Sequence, residues 1–198
     1  MSVTQESAFE GNIEAHLLGH GWNTVAPAGY DRKAGVFGDE VIAFVQASQP
    51  AEWKRLVARH GGEATARSRF LKVVTDALDH RGTVSVLRSP VKDSGVSVRL
   101  CYFKPASGLN AQQSARYEAN RLGVTRQLHH SESRPGDSLD LVLSVNGIPV
   151  ATAELKNPLT GQGVEHAKSQ YRTDRNPHDL IFRSGHWCIS RWIRITWR

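Results

Sequence analysis

The sequence predicts one domain in which helices and strands are mixed. Three observations support this class: an amphipathic helix pattern opens the chain, another covers residues 70–78, and residues 138–156 have the pattern of a β-hairpin. The chain has 198 residues, of which 39% are hydrophobic, enough for one globular core and too few for several.

Helices are expected over much of the first half of the chain. Thr4 can cap a helix that ends at Gly19, and Pro50 can begin a second helix. Between them, residues 22–40 are rich in glycine and residues 41–45 are predicted to form a short apolar strand. The apolar residues that define three helices are Ala8, Phe9, Ile13, Leu17 and Leu18, then Trp53, Leu56 and Val57, then Phe70, Leu71, Val74 and Leu78.

Strands become more frequent in the second half. Residues 96–103 are predicted to form a strand, residues 105–110 a loop, residues 112–121 a helix and residues 124–130 another strand. Arg134, Pro135 and Gly136 then mark a turn before the hairpin.

The composition favours a polyanionic partner and argues against a membrane protein. The net charge is +6 and the pI is about 9.6, a balance that favours binding to phosphates. No stretch approaches the roughly 20 consecutive apolar residues of a membrane span, and the N-terminus lacks the pattern of a secretory leader, so we expect a cytoplasmic protein. Cys101 and Cys188 fit no metal-ligand spacing, and no function is assigned to them.

The hairpin places carboxylates among aliphatic residues. Asp140 lies between two leucines of SLDLVLSV, and Glu154 lies between Ala153 and Leu155 in VATAELK. Buried carboxylates are costly unless a cation or hydrogen bonds compensate them. A divalent metal ion would provide that compensation.

The pairing of the two strands decides whether these acids meet. Glu154 and Lys156 share one face of their strand because side chains alternate. A two-residue turn at Asn146-Gly147 would pair Asp140 with Ala153, on the wrong face. We therefore predict a three-residue loop over residues 146–148, or an equivalent bulge, that pairs Asp140 with Glu154.

The resulting arrangement suits phosphodiester hydrolysis. Asp140 and Glu154 on adjacent strands would hold Mg²⁺, which prefers oxygen ligands and keeps several waters. Lys156 would orient or deprotonate the attacking water and stabilise the charge that develops on phosphorus.

The stretch SLDLVLSVNGIPVATAELKNPLTGQ, followed by AKSQYRTDR, resembles the nuclease core of type I restriction enzyme R subunits, of the PD-(D/E)xK superfamily. The resemblance extends through YEANRLGVTRQL, YFKPASGLN and ESAFE, and covers about residues 4–183. It implies a restriction-endonuclease-like α/β fold, a mixed sheet flanked by helices. It also implies that Asp140 and Glu154 bind metal and that Lys156 is catalytic. Glu10 matches a helical glutamate of the family, and Gln170 matches a glutamine associated with positioning DNA or supporting the active site.

The chain departs from the family pattern at three places. Tyr171 directly follows Gln170, whereas the tyrosine of some members lies four residues further on, where this chain has Asp174. No Walker A loop occurs, so ATP is expected only for the motor domains of full-length members. Residues 184–198 fit no family strand, and we hypothesise a tail read out of frame in a truncated gene, after a nuclease domain over residues 1–183.

The resemblance also implies partners. Double-stranded DNA would be cut within a complex with modification and specificity subunits. Lys168, Arg172, Arg175 and Arg126 would contact phosphates, although a charged helix face would have the same appearance. The alternative functions are a catalytically silent DNA-binding or assembly fragment, and a structural remnant whose basic, tryptophan-rich tail binds nucleic acid or membranes non-specifically. For Glu10, the alternative to a metal role is a favourable interaction with the helix dipole.

Overall fold

The computed structural model describes residues 3–155 and 179–183. In these ranges the helices are α1 (Val3–Leu18), α2 (Gly38–Ser48), α3 (Pro50–His60), α4 (Glu63–Arg81), α5 (Thr83–Arg88), α6 (Ala111–Glu118) and α7 (Leu180–Arg183). The strands are β1 (Asn23–Thr24), β2 (Tyr30–Asp31), β3 (Val36–Phe37), β4 (Val91–Asp93), β5 (Val96–Val98), β6 (Leu122–His129), β7 (Ser138–Val145) and β8 (Ile148–Ala153). Among these helices, none has the length and apolar character that a membrane span requires.

Four strands form one mixed sheet in the order β1-β6-β7-β8. β1 is parallel to β6, whereas β6, β7 and β8 are antiparallel neighbours. β2 with β3, and β4 with β5, form two short antiparallel ribbons. The expected α/β class is confirmed, and a mixed sheet flanked by helices is the restriction-endonuclease-like arrangement that the resemblance implies.

Apolar clusters cover both faces of the sheet. Phe9, Ile13 and Leu17 are spaced to lie on one side of α1, and they pack against a cluster that includes Leu141. Val142 belongs to a different cluster. Because Leu141 and Val142 are adjacent in β7, the two clusters lie on opposite faces, and α1 covers one of them.

A larger core lies among α2, α3, α4 and α5 and the β4–β5 ribbon. Phe44, Leu56 and Phe70 are fully buried there, and Ile148 at the start of β8 belongs to the same cluster. Each such side chain contributes roughly 1.5–3 kcal/mol through burial. The helical core and the hairpin are therefore packed together at Ile148.

The hairpin turn is tightly packed against α2. Asn146 and Gly147 have φ values of 52° and 80°, and two positive φ values are what a two-residue type I′ turn requires. The Gly147 carbonyl accepts a hydrogen bond from the Phe37 amide at 2.8 Å. A β-carbon on Gly147 would lie 2.5 Å from the Phe37 carbonyl oxygen and 2.8 Å from the Val41 nitrogen, so the close approach requires glycine.

The buried side chain of Asn146 joins three segments. Its Nδ2 donates to the Leu100 carbonyl and to Asn120 Oδ1, each at 2.9 Å, and its Oδ1 accepts from the Arg121 amide at 2.6 Å. Arg121 in turn donates from Nε to Glu40 of α2 at 2.6 Å, and this hydrogen bond raises the pKa of its guanidinium. The turn is thereby tied to the segment before β6 and to α2.

Several local predictions are wrong. Residues 41–45, expected to be a strand, lie within α2, where Val41, Ile42, Phe44 and Val45 are all buried. A short apolar run does not distinguish a buried strand from a buried helix, and here tertiary packing selects the helix. The strand predicted over residues 96–103 is limited to Val96–Val98, and α5 and β4 were not predicted. The proposed tail, residues 184–198, lies outside the described residues, so the domain boundary at 183 stays a prediction.

Candidate functional site

A β-bulge in β8 sets the pairing of the two predicted metal-binding acids. The turn has two residues, so the predicted three-residue loop is wrong. The pairs on either side of the register shift are Ser144↔Pro149 and Leu143↔Ala151. Val150 is therefore the extra, unpaired residue of the bulge. Without it, a two-residue turn would pair Asp140 with Ala153 instead of Glu154. The last pair of the ladder is Leu141↔Ala153, and the next facing positions are Asp140 and Glu154. This is the pairing that the sequence predicts for a bulge in place of the longer loop.

The Asp140 carboxylate is held by hydrogen bonds on both oxygens. Its Oδ2 accepts from the Leu155 backbone amide at 2.6 Å, and its Oδ1 accepts from Gln127 Nε2 at 3.3 Å. Asp140 is half-buried, and Glu154 is only 7% exposed. The end of the hairpin thus holds one carboxylate in a fixed orientation, and the position that faces it on the neighbouring strand carries a second, buried carboxylate.

A third predicted acid, Glu10 of α1, belongs to the same network. It is 5% exposed. Its Oε1 accepts from Gln127 Nε2 at 2.8 Å, the same amide nitrogen that donates to Asp140. Its Oε2 accepts from Nε and Nη2 of Arg126, both at 3.3 Å. The structure therefore connects Glu10 of α1 to Asp140 of the hairpin through Gln127 of β6.

Sequence comparison identifies the family of this chain. The family model described as type I restriction enzyme R protein N terminus (HSDR_N) matches residues 62–190. The chain belongs to this family. No curated protein and no solved structure matches it.

The family match and the site overlap only in part. The matched residues include Asp140 and Glu154 on the hairpin, together with Lys156 and Gln170. They begin at the start of α4, so α1 and Glu10 lie before them. The role of Glu10 consequently depends on its contacts in this structure and on the wider resemblance.

Arg126, a predicted phosphate contact, faces acids in this structure. Its Nη1 pairs with Glu14 Oε2 and its Nη2 with Glu10 Oε2, both at 3.3 Å, and its side chain is 30% exposed. Glu14 also accepts a hydrogen bond from Thr24 at 2.9 Å. The guanidinium therefore compensates Glu10 and Glu14 of α1, and contact with DNA stays a prediction.

Gln127 was not predicted from the sequence as a site residue. It lies in β6 between Arg126 and Leu128, where its type and neighbours carry no motif. The informative feature is its position facing Asp140, which requires the β6–β7 register. Its backbone φ of 48° is also a structural observation with no signal in the sequence.

The remaining predicted site residues, Lys156, Lys168, Gln170, Arg172 and Arg175, lie outside the described residues. In residues 3–155 and 179–183, no group of three or more His, Cys, Asp or Glu side chains is arranged to hold a metal ion. Two carboxylates are nevertheless a sufficient protein contribution for Mg²⁺, which usually keeps several waters. The donor chemistry of Asp140 and Glu154 fits that ion.

Proposed function

We propose that this domain is a Mg²⁺-dependent endonuclease core that hydrolyses DNA phosphodiester bonds. The observation that carries the proposal is the bulged hairpin, which makes Asp140 and Glu154 facing positions beside the Leu155 amide. Membership in a family of restriction enzyme subunits supports DNA as the substrate. The net charge of +6 favours the same polyanion.

Each residue has a defined part in this proposal. Asp140 and Glu154 hold the cation, and the Leu155 amide keeps Asp140 in its orientation. Bound Mg²⁺ supplies charge stabilisation to the phosphate and lowers the pKa of a coordinated water. Lys156 orients or deprotonates the attacking water and stabilises charge on phosphorus, and Gln170 positions the DNA.

The proposal extends to the assembly. No segment of this sequence resembles a base-reading element, so target choice would belong to the specificity subunit of a type I restriction complex that also contains modification subunits. Cleavage would follow ATP-driven translocation by motor domains. The Walker A pattern of such domains does not occur in this sequence.

Nicking of supercoiled plasmid at low salt tests the catalytic proposal. The wild-type chain and Lys156→Ala are compared with Mg²⁺ and with EDTA. We expect Mg²⁺-dependent nicking by the wild type and at least a hundredfold slower nicking by the variant, the usual contribution of such a group being about 10²–10⁴-fold. Equal inactivity of both proteins, also in the presence of the partner subunits, would instead favour the catalytically silent assembly fragment.

A further inference from the structure

Gln127 interrupts the ladder between β6 and β7 at the position of Asp140. The flanking pairs are Arg126↔Leu141 and Leu128↔Leu139, and the position that faces Asp140 between them is Gln127. Its φ of 48° lies in the left-handed region, which residues other than glycine, asparagine and aspartate rarely adopt. Such strain persists only where surrounding contacts compensate it, and it is concentrated at functional sites.

The contacts that accompany this strain are hydrogen bonds to acids. Gln127 Nε2 donates to Glu10 Oε1 at 2.8 Å and to Asp140 Oδ1 at 3.3 Å, and its Oε1 accepts from the Ser138 hydroxyl at 3.3 Å. One amide nitrogen with two protons thus bridges carboxylates from α1 and β7. Ser138 in turn fixes which end of the amide faces the acids.

Gln127 bridges the two carboxylates without a net charge, which distinguishes it from Arg126. Arg126 pairs with Glu10 and carries a full positive charge. Gln127 orients Asp140 without adding net charge, so it reduces the negative potential that attracts a cation less than a second guanidinium would. Hydrogen-bonding partners of metal-ligating carboxylates set the orientation and affinity of the site in this way.

We infer that Gln127 is a positioning residue for the divalent cation site, acting through Asp140 and holding Glu10 beside it. This inference rests on the proposed function, because it requires that Asp140 bind the cation. The left-handed backbone of Gln127 aims its amide at both carboxylates, and the side chain itself does not touch the reacting atoms.

Two substitutions separate the amide from the backbone strain. Gln127→Met keeps the side-chain length and the strained backbone but removes the amide. Gln127→Gly removes the amide and also relieves the strain, since glycine adopts positive φ readily. A matched control is Gln46→Met, which removes an amide-to-carboxylate hydrogen bond of 2.9 Å, between exposed Gln46 and Glu63, far along the chain from the site.

Mn²⁺ affinity of the full chain is the measurement, read from the electron paramagnetic resonance signal of free Mn²⁺ during a titration. Melting temperature is recorded in parallel. We expect both Gln127 variants to bind Mn²⁺ about tenfold to a hundredfold more weakly than the wild type, the usual effect of losing such a partner. Gln127→Gly should do so without a lower melting temperature, and Gln46→Met should retain the wild-type affinity.

Wild-type Mn²⁺ affinity in both Gln127 variants would overturn the inference. It would also be overturned if Mn²⁺ binding were weaker only in a variant whose melting temperature is lower, because the loss would then follow from reduced stability. Asp140→Asn distinguishes this outcome from failure of the proposed function. If the wild type binds no Mn²⁺, or if Asp140→Asn binds it undiminished, the proposed cation site is wrong and the role of Gln127 falls with it.

Discussion

Substitution of Gly147 by alanine should destabilise the domain strongly, because two separate costs fall on the same residue. Its φ of 80° lies in the left-handed region, where a β-carbon costs about 1–2 kcal/mol. That β-carbon would also lie 2.5 Å from the Phe37 carbonyl oxygen, a backbone atom that cannot rotate away. Forcing extra atoms into a packed site costs typically about 1–3 kcal/mol. The expected loss in the free energy of unfolding is therefore roughly 2–5 kcal/mol.

Two other glycines serve as graded controls. Gly61 has a similar φ of 75°, but a β-carbon there meets nothing within 4 Å, so Gly61→Ala isolates the backbone cost of about 1–2 kcal/mol. A β-carbon on Gly136 also meets nothing within 4 Å and no left-handed φ is involved, so Gly136→Ala should change stability by less than about 0.5 kcal/mol.

Urea denaturation followed by circular dichroism measures the series, with the midpoint compared at constant slope. The expected order of destabilisation is Gly147→Ala, then Gly61→Ala, then Gly136→Ala. In thermal unfolding, a loss of about 3 kcal/mol corresponds to roughly 6–12 °C for a chain of this size. If Gly147→Ala is no more destabilising than Gly61→Ala, the close packing of the hairpin turn against α2 is refuted.

Three further predictions concern buried polar groups. Asn146→Ala removes the three hydrogen bonds of a fully buried side chain and should lower the free energy of unfolding by about 2–5 kcal/mol. Asn12 is exposed, and Asn12→Ala should leave the free energy of unfolding within about 0.5 kcal/mol of the wild-type value; equal effects would contradict the role of the Asn146 side chain. Burial raises the pKa of Tyr30 well above its usual value, so the unfolded chain releases this proton near pH 10 while the folded chain keeps it. The free energy of unfolding should therefore fall above about pH 10, and it should fall less steeply with pH in Tyr30→Phe, as measured by urea titrations from pH 9 to 11. The same dependence on pH in the variant and the wild type would be inconsistent with a buried phenol. Burial also raises the pKa of the Cys101 thiol, so in a Cys188→Ser background it should react with a thiol reagent at pH 8 only after denaturation, and rapid labelling of the native protein would show the thiol to be accessible.

The sequence alone was informative about the hairpin because its signals are local. The Asn146-Gly147 dipeptide and the alternating residues on either side define two strands and their turn. Because side chains alternate along a strand, Asp140 can face Glu154 only if one extra residue lies in the loop or in a strand. The sequence does not show whether this residue lengthens the loop or forms a bulge at Val150, because that depends on how Gly147 packs against α2.

Other parts of the site depend on contacts that are distant in the chain. Glu10 and Gln127 are 117 residues apart, and nothing in either local sequence indicates that they share a hydrogen bond. The same limitation explains residues 41–45, whose apolar run is compatible with a strand until α3 and α4 pack around it as a helix. Pairing and packing of distant segments therefore decide what local patterns leave open.

Anomalous diffraction from crystals grown with MnCl₂ shows whether the bulged hairpin binds a divalent cation. We expect an anomalous difference peak in contact with the carboxylates of both Asp140 and Glu154, and no such peak in crystals of Asp140→Asn. If crystals grown at a saturating concentration of Mn²⁺ give no peak there, or only a peak that contacts neither acid, the hairpin is not a divalent cation site.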